Sequence, residues 1–158
     1  QNDLAGVEKL LKDGADANAR DALGNRPLLH AARLGATEMV RLLLEAGADP
    51  NFKGMGYTPL GLAALNGHPG VADWLLQFGA FTTTRSDNGL TPLMNAALTN
   101  SVAVMRIILR YDADVDFENP AGRRALSYAA EGGAARGQNM NRCCAETLAH
   151  EASPSMRA

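Results

Sequence analysis

The chain has 158 residues, 46% of them apolar, 20% charged and 5% aromatic, and 15 Lys and Arg against 17 Asp and Glu leave a net charge of −2. That length and apolar fraction suit one folded domain and exclude wholesale disorder. The near-neutral balance lacks the basic excess of a general binder of phosphate backbones.

A helix is predicted over Leu4 to Asp13, followed by Gly14-Ala15-Asp16. After a turn at Gly24 comes Arg26-Pro27-Leu28-Leu29-His30-Ala31-Ala32, a short helix ended by Gly35. A second helix carries Met39, Val40, Leu42, Leu43 and Leu44 at helical spacing and closes on Gly47-Ala48-Asp49. The series then recurs. Gly56 precedes Thr58-Pro59-Leu60-Gly61-Leu62-Ala63-Ala64, with Gly67 and Gly79-Ala80-Phe81 after it. Gly89 precedes Thr91-Pro92-Leu93-Met94-Asn95-Ala96-Ala97, with Asn100 and Asp112-Ala113-Asp114 after it. Gly122 precedes Arg124-Ala125-Leu126-Ser127-Tyr128-Ala129-Ala130, with Gly132 after it. The second residues of the four signatures are 27, 59, 92 and 125, so the spacings are 32, 33 and 33. The second marker keeps the same beat, which makes chance alignment implausible.

Each unit reads as turn, short helix, tight loop, second helix. Thr58 and Thr91 are N-cap residues whose hydroxyls accept from free helical N–H groups, and Pro59 and Pro92 sit where no donor is missed. The Ala-Ala pair permits close helix–helix approach. Gly35, Gly67, Asn100 and Gly132 suit the left-handed residue that ends a helix, and Gly24, Gly56, Gly89 and Gly122 suit positive φ in the turns. Arg26 replaces a capping Thr, so Arg26→Thr is expected to stabilise by about 1 kcal/mol.

These features together resemble the ankyrin-repeat family, whose unit is about 33 residues of β-turn plus two helices. The resemblance implies an all-α solenoid of stacked helix–turn–helix units with β-turn or hairpin tips. Residues 2–19 form a half repeat. Full repeats are expected at 20–51, 52–84 and 85–117, an atypical capping repeat at 118–152 with its second helix over Asn139 to Glu151, and a frayed tail at 153–158. Asn139, Asn141, Arg142 and Glu146 suit the outer face of that cap. The family's usual His after Thr-Pro-Leu is absent, replaced by Leu29, Gly61, Met94 and Ser127. His68 matches the family's Gly-His position and is expected to tie loops together. His30 and Asn95 are polar at a register that is Leu62 and Tyr128 in the sister units, and a short polar ladder along the first helices is expected there.

No catalytic or metal-binding constellation is found. Cys143 and Cys144 are adjacent, which is poor for a disulfide framework. Either lies two helical turns from His150, about 10 Å of rise and too far for direct contact. No His or Cys spacing fits a metal, and no phosphate-binding loop is present. No cofactor is implied. No apolar run of about 18 residues could span a membrane. The first twenty residues lack the pattern of a signal peptide, and the compartment stays open between cytoplasmic and, if an upstream signal was removed, periplasmic. Few Lys and many Arg point to a GC-rich, bacterial source.

The sequence thus favours a non-catalytic module that binds a protein or peptide on the concave face the family exposes. The residues assigned to that face are Leu23, Asn25, Arg33, Leu34, Met55, Tyr57, Leu65, Asn66, Asn88, Leu90, Leu98 and Arg123. Their leucines, Met55 and Tyr57 would form an apolar stripe interleaved with amides, the composition of an interface. Tyr57 and Arg123 are the expected anchors. The turn at Gly54-Met55-Gly56 is one residue shorter than its counterparts and, flanked by two glycines, is expected to be loose and to adjust on binding. Trp74 is expected to pack on the convex side. Two other readings are weighed: a redox or enzymatic role for Cys143 and Cys144, and nucleic-acid binding through Arg20, Arg26, Arg33, Lys53 and Arg85. Asp21, Glu38 and Asp49 balance the latter charges. A monomer, or a weak homodimer through the stripe, is expected.

Overall fold

The computed structural model of the chain describes residues 3–134 and 146–149. Helix α1 (Leu4–Lys12) stands alone, and three helix pairs follow: α2 (Pro27–Leu34) with α3 (Thr37–Glu45), α4 (Pro59–Asn66) with α5 (Pro69–Gln77), and α6 (Pro92–Leu98) with α7 (Val102–Leu109). Helix α8 (Ala125–Ala134) comes next, and residues 146–149 are helical. The first helices of the units, α2, α4, α6 and α8, pack side by side in one row, and α1, α3, α5 and α7 in a second. This is the all-α stack expected. Among the described residues the sole β pairing is the bridge between Gly54 and Tyr57.

The first row closes because small side chains sit at its crossings. Ala32, Ala63, Ala64, Ala96 and Ala97 are fully buried. Leu28, Leu60 and Leu93 fill the space between neighbouring helices, and Val40, Val71, Val104 and Ile108 do so for the second row. The Thr58 hydroxyl accepts from Gly61 N–H at 3.1 Å and the Thr91 hydroxyl from Met94 N–H at 3.3 Å, so both caps form as predicted.

The loops inside the pairs also interlock. Gly35 and Gly67 adopt left-handed φ of 73° and 72° and end α2 and α4. Glycine is needed at Gly35 for a second reason, since a Cβ there would lie 2.6 Å from the His68 ring. His68 Nε2 meets the Arg33 carbonyl at 3.2 Å, which is the loop-tying role expected of it. Gly132 departs from expectation: α8 runs through it instead of ending. The expected final helix is described only over 146–149, where Leu148 is buried in the core. Asn139, Asn141, Arg142, Cys143, Cys144, His150 and residues 153–158 lie outside the described residues.

Two asparagines fasten successive units. Asn18 donates to the Gly47 carbonyl at 2.9 Å and accepts from Asp49 N–H at 2.9 Å. Asn51, 33 residues on in the sequence, donates to the Gly79 carbonyl at 3.0 Å and accepts from Phe81 N–H at 2.8 Å. Each uses both ends of its carboxamide on the backbone of the next unit.

Two expectations are corrected. Arg26 gives no side-chain cap to α2, yet it is not an unproductive residue. Its guanidinium lies 3.1 Å from Asn18 Oδ1, 3.2 Å from Asp49 and 4.1 Å from the Phe52 ring centre. The polar ladder is not formed either. His30 pairs with Asp21 at 2.9 Å instead, because it sits at the edge of the row beside the first turn. Asn95 lies 1% exposed with both side-chain polar atoms unpaired.

Three outcomes follow from these contacts. Asn95→Leu, which copies the buried Leu62 of the sister unit, raises the denaturant midpoint, equivalent to about 1–3 kcal/mol, because an unpaired buried amide is removed. For Arg26→Thr, a cap gain of about 1 kcal/mol is offset by the lost stacking and ion pair, each worth roughly 0.5–1 kcal/mol. The same denaturation experiment therefore shows no stabilisation for this variant. The Asp21 carboxyl is held below its usual range by the His30 hydrogen bond first and the Asn25 N–H second. Its stabilisation is present above the unfolded pKa, about 3.9, and is lost as pH falls through the lower folded value. The midpoint difference between wild type and Asp21→Asn accordingly shrinks as pH drops below about 4.

Candidate functional site

The tips between the units are built in two ways. In three of them, five residues close through reciprocal hydrogen bonds. Asp21 N–H donates to Asn25, Ser86 N–H to Leu90 and Asn119 N–H to Arg123, at 2.8, 2.9 and 3.0 Å. The first side chain of each turn reinforces it: Asp21 accepts from Leu23 and Asn25 N–H, Ser86 from Leu90 N–H, and Asn119 from Ala121 and Arg123 N–H. The penultimate glycine takes positive φ in all three. The second tip is one residue shorter, and Gly54 and Tyr57 there exchange both N–H···O bonds, at 3.0 and 2.9 Å. Its central residues, Met55 and Gly56, have φ of 51° and 77°. Positive φ at both is the mark of a type I′ hairpin, which favours Asn-Gly. Met55 is thus forced into a left-handed conformation by the missing residue.

This tip is not the loose turn expected. Gly56 accepts from Asp87 N–H at 2.9 Å, and Lys53 pairs with Asp87 at 2.6 Å. On its other side, Gly54 packs on Asn25, Leu29 and Phe52, each 3.0 Å from where a Cβ would stand. The hairpin is braced by the units before and after it.

The predicted surface residues divide. Leu23, at a tip, is 86% exposed, Met55 39% and Leu98 38%. Arg33, Asn66 and Asn88 are exposed, and Tyr57 and Leu65 are half-buried. Asn88 reaches the Tyr57 hydroxyl at 3.4 Å, and Asn66 donates to the Leu62 carbonyl of its own helix. Leu98, Leu65, Asn66 and Arg33 lie in the last turns of α6, α4 and α2.

Four assignments change. Leu90 is 8% exposed and belongs to the core. Asn25 is buried beneath the second tip, because Gly54 leaves room for it there. Leu34 is exposed but faces a groove of about 380 Å³ shared with Val7, Leu10 and Leu11 of α1, at the end of the row. Arg123 is no free anchor. Its guanidinium stands 4.2 Å from the Tyr128 ring centre and pairs with Glu131, which also raises its pKa. Residues 25, 57, 90 and 123 occupy equivalent places before the helix caps, and their burial is decided by what the adjoining unit supplies. Asp87 was missed as a brace, and its signal was only its position opposite Lys53.

Trp74 is half-buried against the core, with its ring 6.0 Å from that of Phe78. The cations that a nucleic acid would need are largely engaged. Arg20 lies over Phe52, Arg26 meets Asp49, Lys53 meets Asp87 and Arg85 lies over Phe117. Among the described residues no cluster of three His, Cys, Asp or Glu is placed to hold a metal ion, and no helix is long and apolar enough to cross a membrane. The Cys143 and Cys144 reading falls outside the described residues.

The chain is matched by the family model for ankyrin repeats in three copies, over residues 1–86 and 78–157. It is 36% identical over 118 residues to an ankyrin repeat protein of Fowlpox virus (strain NVSL), covering 72% of this chain and 35% of that protein. It is 42% identical over 89 residues to the E3 ubiquitin-protein ligase Ufd4 of Drosophila melanogaster, covering 56% of this chain and 3% of the ligase. It is 33% identical over 130 residues to the SH3 and multiple ankyrin repeat domains protein 2 of Homo sapiens, covering 79% of this chain and 7% of that protein. The chain therefore spans about a third or less of the length of these relatives. They are viral and eukaryotic, and the expected bacterial origin finds no support. With turns, caps, alanine pairs and two-row stacking all in place, and the family model covering nearly the whole sequence, the chain belongs to the ankyrin-repeat family.

Proposed function

We propose that this chain is a non-catalytic module that binds a protein or peptide along its concave face, with the tips and the last turns of the first-row helices as the contact edge. Ankyrin repeats generally mediate protein–protein interaction. The observation that carries the finer reading is the exposure of three apolar side chains, Leu23 and Met55 at two tips and Leu98 at the end of α6, where water would favour polar ones. Arg33, Asn66 and Asn88 add exposed donors. Met55 adds weight. A methionine in left-handed conformation costs about 1–2 kcal/mol relative to a residue that tolerates it, and strain of this kind persists where a side chain is needed for contact. The half repeat at 2–19, the repeats at 20–51, 52–84 and 85–117 and the unit at 118–152 act as one stack in this proposal.

Met55→Asn separates stability from binding. It installs the preferred Asn-Gly pair, so the denaturation midpoint rises by the equivalent of about 1 kcal/mol. Capture of a partner from extract of cells that express the protein falls, because the exposed thioether is gone. Leu23→Arg/Leu98→Arg, checked for equal helicity by circular dichroism, abolishes capture. A partner retained equally by wild type and by this double variant would move the binding surface away from the concave face.

A further inference from the structure

The asparagine clamp is present at two junctions and missing at the third. The position equivalent to Asn18 and Asn51 is Thr83, and the groups equivalent to the clamped ones are the Asp112 carbonyl and the Asp114 N–H. Thr83 is shorter, and no hydrogen bond joins it to either group. A cavity of about 390 Å³ opens at this place, lined in part by Thr82, Thr83, Arg85, Asp114 and Phe117. That is the size of a small-ligand pocket. Its walls are held. The Arg85 guanidinium lies 5.5 Å from the Phe117 ring centre and has no ion-pair partner among the described residues. The Asp114 carboxylate is turned to Asp116 N–H at 3.0 Å.

We propose that this cavity is a binding site for a primary carboxamide, the side-chain amide of a Gln or Asn on a partner, which takes the seat that Asn18 and Asn51 fill within the chain. The chemistry follows from the two intact clamps. Each backbone seat presents one acceptor and one donor, and a carboxamide satisfies both at once. A carboxylate has no hydrogen for the Asp112 carbonyl, and it would meet the negative charges of Asp112 and Asp114. An ammonium has no acceptor for the Asp114 N–H. The stem of the ligand would rest on Leu93, Ala113 and the Phe117 ring, and Arg85 is free to donate to the carbonyl of the ligand's own main chain. The site is independent of the concave-face reading and stands or falls separately from it.

The test is a titration of the ¹⁵N-labelled full chain with N-acetylglutamine methylamide and, separately, with N-acetylglutamate methylamide at neutral pH. The glutamine probe is expected to give saturable shifts at the Asp114 and Thr83 amides, and the glutamate probe to bind roughly tenfold more weakly, since one hydrogen-bonding group is then left unpaired. Thr83→Asn fills the seat from within. It is expected to raise the denaturation midpoint and to abolish the probe-induced shifts, whereas Thr83→Ser keeps them. Linear, unsaturable shifts with the glutamine probe would overturn the proposal. So would equal or tighter binding of glutamate, which would make the cavity an anion site governed by Arg85. Undiminished shifts in Thr83→Asn would place the binding elsewhere.

Discussion

Close approach of the first-row helices is the constraint on which everything else rests. Ala32, Ala63, Ala64, Ala96 and Ala97 are fully buried along the row of α2, α4, α6 and α8, and each brings only a methyl group to it. Interiors are packed to crystal-like density, so a larger side chain there would push neighbouring units apart. Once that spacing is set, the tips stand in a row at one edge and the intra-pair loops at the other. The His68 contact over Gly35 and the asparagine clamps depend on the same spacing, because each spans one unit and no further. Contacts of this nearest-neighbour kind make the stability of a solenoid a sum over units and junctions.

The junctions are not alike. The first has the Asn18 clamp together with Arg20 and Arg26 on Phe52. The second has the Asn51 clamp and the Lys53–Asp87 pair. The third relies on Arg85 over Phe117 and on the Thr99 hydroxyl, which lies 3.3 Å from the Ala64 carbonyl across the first row. Polar fastening thus changes character along the stack while the apolar packing beneath it stays uniform.

What the sequence made legible was whatever the backbone itself demands. Thr58-Pro59 and Thr91-Pro92 announce helix starts, because few residues cap and few lack an N–H harmlessly. Gly35, Gly67 and the turn glycines announce positive φ for an equally local reason. Residues whose fate is decided across a junction were not legible. Asn25 and Leu90 are buried and Tyr57 is not, although all three hold the same register, since the neighbouring tip decides how much room remains. Arg26 looks like a missing cap until Phe52, in the next unit, is seen beneath it. Met55 looks like a mobile residue between glycines until the reciprocal bonds of Gly54 and Tyr57 show a closed hairpin. Arg123 reads as an anchor in isolation and proves to be shared between Tyr128 and Glu131.

The short second tip has a wider consequence. A residue gained or lost inside a helix would rotate every later side chain by about 100°, given 3.6 residues per turn. Here the loss is absorbed at the hairpin end, where Met55 changes handedness and nothing in either helical row moves out of phase. The one-residue difference is therefore confined to a tip, where Met55 is exposed. A solenoid of this kind can therefore change the length of a tip one hairpin at a time without disturbing the packed rows beneath it.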